Sequence, residues 1–164
     1  MTSANLWTAA AAGVGGTMAL DLWSLFLVRA FGIAGVSWPM VGRWLGNMPR
    51  GRFVHEAMGN APPVAGEAII GWASHYAIGT GYGLLLLAWL DLGWFSRPTL
   101  LEPLIFSLAS LVAPFFLMMP GMGAGVAASK MPKPNLARLK SVAGHSVFGL
   151  GMYVTATSIA RIPT

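Results

Sequence analysis

The sequence predicts an all-α, polytopic membrane protein: four transmembrane helices, with an interfacial amphipathic helix in the first cytoplasmic loop. Three observations carry that prediction. Hydrophobic residues make up 55% of the 164-residue chain and charged residues only 9%, whereas soluble domains carry roughly 25% charged residues. Four long, weakly charged segments, at about 5–31, 66–90, 99–129 and 135–160, each exceed the ~20 residues that a helix needs to cross ~30 Å of hydrocarbon. The basic residues collect in alternate connections, as the positive-inside bias requires. These segments leave no room for a separate soluble domain, so residues 1–164 read as a single integral membrane domain.

The first segment has no Lys or Arg ahead of its apolar run, and the run outlasts a signal-peptide core, so it reads as a retained first span. It carries Asp21 on a four-residue stripe with Gly13 and Thr17. A carboxylate at that depth is costly unless partnered or neutral. Arg29 follows eight residues later, ~12 Å along the axis, which puts Asp21 in the cytoplasmic half.

The connection that follows, about 32–66, is long for a helix linker. From Ser37, a candidate N-cap, Val41, Trp44, Leu45 and Met48 share one helical face with Arg43 and Asn47 off it, which predicts the interfacial helix. Arg50, Arg52, His55 and Glu56 come after the Pro49 break, and Pro62 and Pro63 close the loop ahead of Glu67. The simple reading of this basic, Trp-bearing loop is contact with anionic lipid headgroups.

In the second span His75 shares a strict four-residue spacing with Gly71, Gly79 and Gly83. Small-residue stripes let membrane helices approach closely, so these glycines are expected at helix contacts and His75 inside the bundle. Trp89, Trp94 and Phe95 read as an aromatic belt at the outer surface. Thr99 with Glu102 has capping-box spacing and opens the third span, which Pro114 and Pro120 should kink. Gly121 and Gly125 continue to Ser129 on one stripe, either as a close-packing seam or as broken backbone against protein or a wet cavity. Span four follows Pro132 and Pro134 and aligns Ser141, His145, Gly149 and Tyr153. The run His75-x-x-x-Gly79-x-Gly81 also matches His145-x-x-x-Gly149-x-Gly151, a faint internal repeat.

Arg29, Arg43, Arg50 and Arg52 lie at or after the end of span one, and Lys130, Lys133, Arg138 and Lys140 between spans three and four; the second connection has only Arg97. Both basic loops are then cytoplasmic and both termini outside. A net charge of +5 distributed this way points to anionic lipid rather than nucleic acid.

Asp21, His75 and His145 thus fall at similar depth, a polar intramembrane cluster. With Met119 and Met122 on the kinked third helix, this donor set suits a transition metal or haem, although no cofactor motif accompanies it. The same trio can instead relay protons, which makes the protein transporter-like and a homo-oligomer a natural form for so few helices. The bland alternative is interhelical hydrogen bonding in a structural or assembly subunit that docks a membrane partner. The chain has no cysteine, and no nucleotide loop, HxxxH or nucleophile-elbow spacing occurs, which argues against an enzyme. A lipid-modifying site at His55, Glu56 and Glu67 is the enzymatic alternative.

The blocks MALDLW (18–23), VGRWLGNMPRGRF (41–53), GEAIIGWASHYAIG (66–79), PFFLMMPGMGAGVAASKMPKP (114–134) and GHSVFGLGMY (144–153) together resemble the bacterial multi-pass membrane family catalogued as domain of unknown function 2938. The likeness covers nearly the whole chain. It implies a bacterial inner-membrane location and architecture, and no catalytic residue.

Overall fold

The computed structural model describes residues 3–90 and 93–161, all-helical with no strand among the described residues. Helix α1 runs Ser3–Phe31, α2 Trp38–Asn47, α3 Glu67–Trp89 and α4 Leu101–Ala109; a π-helical turn at Pro114–Met118 leads into the short α5, Met119–Gly121, and α6 runs Pro134–Ala160. Among the described residues two stretches, rather than the four expected, are both long and apolar enough to cross a membrane: Asn5–Phe31 and Leu101–Gly121. At 23 and 27 residues α3 and α6 have the length, but Gly, Ser, Thr, Tyr and His dilute their hydropathy. The chain divides into two compact units, one of Met1–Gly35, Tyr76–Ala109 and Ala143–Thr164, the other of Val36–His75 and Ser110–Val142.

In the first unit α1 is the common partner. Ala9, Gly13 and Thr17 meet Gly83 and Gly79 of α3 so closely that a Cβ on Gly83 would overlap the Ala9 carbonyl, and one on Gly13 the Gly79 carbonyl. Sequence numbers rise along α1 as they fall along α3, so the two run antiparallel. On another face of α1, Gly15 and Gly16 accommodate Thr155, Met152 and Phe148 of α6, while a Cβ on Gly151 would come within 2.6 Å of Ala19 Cβ. Gly149 of α6 fits against Pro103 and Ser107 of α4. Small residues here replace side-chain interdigitation by backbone contact, which gains dispersion energy without needing a hydrophobic effect.

The large side chains of that unit gather where the stripes end, in a core of Leu86, Leu87, Trp94, Phe95, Phe148 and Met152. Trp94 and Phe95 are therefore not members of an outward belt; they are 9% and 6% exposed. The turn at Trp94–Ser96 folds them inward, and the indole N–H of Trp94 donates to Glu102 Oε2 at 3.3 Å. Trp89 does face outward. At the start of α4 the Thr99 hydroxyl also donates to Glu102 Oε2, tying the preceding loop to the first helical turn.

In the second unit, the helix entered at Pro114 widens instead of simply kinking. Proline lacks the N–H an α-helix needs, and the chain answers with a wide turn in which Met119 N–H returns to the Pro114 carbonyl, five residues back. The continuous helix ends at Gly121, well short of the expected 129, and only a distorted 3-10 turn follows at Val126–Ala128. Residues 123–128 then form an irregular turn with positive φ at Gly123, Gly125, Ala127 and Ala128, so Gly125 lies in a loop and not on a helix stripe. Left-handed alanine costs about 1–2 kcal/mol. Arg138 of α6 holds the turn, its Nε donating to the Ala127 carbonyl at 2.8 Å.

Candidate functional site

The α1–α3 seam of the first unit ends on a polar contact. One turn beyond Thr17, Asp21 accepts a hydrogen bond through Oδ2 from the Tyr76 hydroxyl at 2.9 Å. Thr17 itself is fully buried and donates back to the Gly13 carbonyl at 2.9 Å, so the seam presents no loose hydroxyl ahead of the carboxylate. Tyr76 was not among the residues expected here. The signal for it was available, because Tyr76, Gly79 and Gly83 share a face at i, i+3 and i+7.

In the second unit His75 is 7% exposed and stacked on Trp38 of α2, ring centroids 3.7 Å apart and 21° from parallel, with Trp72 edge-on at 5.9 Å. The stack exists because α2 lies against α3 at backbone distance: a Cβ on Gly71 would overlap the Trp38 carbonyl, and one on Gly42 the Glu67 carbonyl. Ser37 takes the extended N-cap conformation but makes no side-chain cap, and Pro39 in the first turn helps set the helix start.

Arg43 was expected on the polar, headgroup-facing side of α2. It instead grips Glu67 with two hydrogen bonds of 2.8 Å, from Nε to Oε2 and from Nη2 to Oε1, and reaches the Ala61 carbonyl at 3.0 Å through Nη1. Val64 N–H adds a bond of 3.0 Å to Glu67 Oε2, so both carboxylate oxygens are engaged. The side-chain hydrogen bonds to Glu67 raise the Arg43 pKa against the partial burial that opposes them. Asn47, also expected off the packed face, is buried and donates to the Arg43 carbonyl at 2.8 Å. The helix is therefore clamped to its own loop through Arg43, while Met40 on it is exposed.

That clamp continues to the broken helix. The Trp44 indole N–H donates to the Phe53 carbonyl at 2.8 Å, and its ring covers Gly121, where a Cβ would approach to 2.6 Å. His55 N–H bonds the Gly121 carbonyl at 2.9 Å and Met58 N–H the Met122 carbonyl at 3.1 Å. Gly123 is needed because any side chain would meet the Glu56 carbonyl. His55 Nδ1 is buried and has no hydrogen-bond partner among the described residues, while the Glu56 residue is exposed, as are Arg50 and Arg52.

Among the described residues no three His, Cys, Asp or Glu side chains gather into a group that could hold a metal ion. Asp21 has Tyr76 beside it, His75 has Trp38 and Trp72, and His145 lies half-buried on α6 between Gly144 and Gly149. Met119 and Met122 lie at the end of the broken helix, both half-buried.

No curated protein and no solved structure matches the chain. The family model described as "Protein of unknown function (DUF2938)" matches residues 10–159, and the chain belongs to that family.

Proposed function

We propose that the chain is a multi-pass integral protein of the bacterial inner membrane, a structural or assembly subunit whose polar side chains fix helices to one another. The observation that carries this reading is where the apolar surface lies. Only 22% of the most apolar window of Asn5–Phe31 and 17% of that of Leu101–Gly121 is buried, and Leu22, Phe26, Val112 and Leu117 all point outward. Water does not tolerate apolar faces of that extent on a folded monomer; hydrocarbon does. The helices α3 and α6 cross with α1, since they lie against it at backbone contact from Ala9 to Ala19. Small residues of both meet α1, which goes with their low hydropathy, while Ile78, Leu85, Leu150 and Val154 are exposed. The four crossings, with the basic loops inside and both termini outside, follow the positive-inside bias.

The absence of native cysteine makes this testable by single-cysteine labelling. In intact cells, a membrane-impermeant maleimide is expected to modify Ser96→Cys, exposed in the connection between α3 and α4, and not Gly51→Cys, with both modified after lysis. Extraction of the protein by alkaline carbonate, or labelling of Gly51→Cys in intact cells, would overturn the topology.

A second reading, proton handling, is favoured by the carboxylate–phenol contact of Asp21 and Tyr76, because ionisable groups within membrane helices mark proton paths. It predicts that Asp21→Asn and Tyr76→Phe remain folded but lose proton flux in liposomes. Under the structural reading both variants melt earlier, by about 0.6–2 kcal/mol as interhelical hydrogen bonds in membranes do, and no flux exists to lose. A lipid-modifying enzyme at His55, Glu56 and Glu67 fits less well, since Arg43 and Val64 already occupy the Glu67 carboxylate.

A further inference from the structure

At the start of α6 the second unit carries a cleft of about 250 Å³ lined by Met131, Pro132, Lys133, Leu136, Ala137 and Lys140. Lys133 immediately precedes α6, and Leu136, Ala137 and Lys140 lie in its first two turns at i, i+1 and i+4, so two lysines and one leucine line the same cleft. No carboxylate enters the lining. Of the two other cations nearby in sequence, Lys130 is outside the lining and Arg138 is turned to the Ala127 carbonyl and to Asn135 Oδ1, at 2.8 and 3.1 Å. Met131 and Leu136 are each 45% exposed at its edge, an apolar rim beside the two lysines.

We infer that this cleft is a binding site for an anionic phospholipid, with the headgroup phosphate between Lys133 and Lys140 and the glycerol and first acyl carbons on Met131 and Leu136. Lysine is a point-charge phosphate ligand, suited to a headgroup that approaches in varied orientations. Charge alone would also suit an acidic peptide, but the apolar edge beside the ammonium groups matches an amphiphile. The inference rests on the proposed membrane location and deepens it from general headgroup attraction to one built site.

Native mass spectrometry of the detergent-solubilised chain tests it, titrating phosphatidylglycerol or phosphatidylcholine against the wild type, Lys133→Gln/Lys140→Gln, and Arg97→Gln/Arg161→Gln as a charge-matched control at exposed positions outside both basic loops. Phosphatidylglycerol is expected to bind the wild type and the control alike and more tightly than phosphatidylcholine. The lysine pair should weaken it about 25-fold, roughly fivefold for each ammonium near an anionic surface. Equal phosphatidylglycerol affinity in wild type and lysine variant, or no preference over phosphatidylcholine, overturns the site. Full competition by glycerol phosphate at equal concentration also overturns it, since the ligand would then be a free phosphate. Alkaline carbonate extraction reads the membrane location separately: a chain that washes off yet shows the lysine dependence loses the location and keeps the site.

Discussion

Gly83→Ala is expected to lower the stability of the detergent-solubilised protein by about 2–3 kcal/mol, while Gly81→Ala, two residues away on the same helix, is neutral or stabilising by up to ~1 kcal/mol. Both substitutions add one methyl group and both improve helix propensity. They differ only in what the new Cβ meets. At Gly83 it overlaps the Ala9 carbonyl and crowds the Gly13 nitrogen, whereas at Gly81 nothing lies within 4 Å. The obstacle at Gly83 is backbone, which cannot rotate away as a side chain can, so α1 and α3 must separate and surrender contacts along Ala9, Gly13 and Thr17. Thermal melting followed by tryptophan fluorescence gives the comparison directly. Equal melting of the two variants would sink the proposed seam, because propensity and hydropathy then account for everything observed at these glycines.

The same seam shows what could be read in the sequence and what could not. The glycine stripes announced close helix approach, and Gly79, Gly83 and Gly149 all meet neighbouring helices at backbone distance. The stripe from Gly71 to Gly83 nevertheless does not face one partner. A residue four positions on has turned 400°, a drift of 40° per step, so over twelve residues a strict four-residue spacing rotates by ~120°. Gly71 and His75 accordingly serve α2, while Gly79 and Gly83 serve α1. Tyr76, not His75, ends up on the Asp21 side. The internal repeat was equally uninformative: Gly81 meets nothing, and its counterpart Gly151 is pressed against Ala19.

Charge signs misled in a different way. Arg43 looks solvent-bound from helical periodicity, yet its partners Ala61 and Glu67 lie 18 and 24 residues further on, a distance over which sequence pattern carries no geometry. The prolines of the third segment did announce irregular helix. Whether proline kinks, widens or ends a helix depends on what catches the freed carbonyls, and here the widened turn and the loop at 53–58 do so together. Hydropathy falls short of a span at α3 and α6 for a related reason, since residues that fit against another helix are small and polar rather than greasy.

His75 supplies the second large effect, and it separates glue from chemistry. His75→Ala is expected to cost about 2–4 kcal/mol, in the range of other buried ring and aliphatic truncations, because it removes the ring that Trp38 stacks on at 3.7 Å and Trp72 meets edge-on. His75→Phe keeps a flat ring in the same place and should recover all but about 1.5 kcal/mol. If the imidazole serves packing, cells carrying His75→Phe behave as wild type once the protein accumulates normally. If it handles protons, the Phe variant is as stable as this and still fails in flux or phenotype. A phenylalanine variant as unstable as the alanine one would instead mean that the ring nitrogens, and not the stack, hold α2 to α3, placing His75 with Arg43 and Glu67 among the polar ties of this unit.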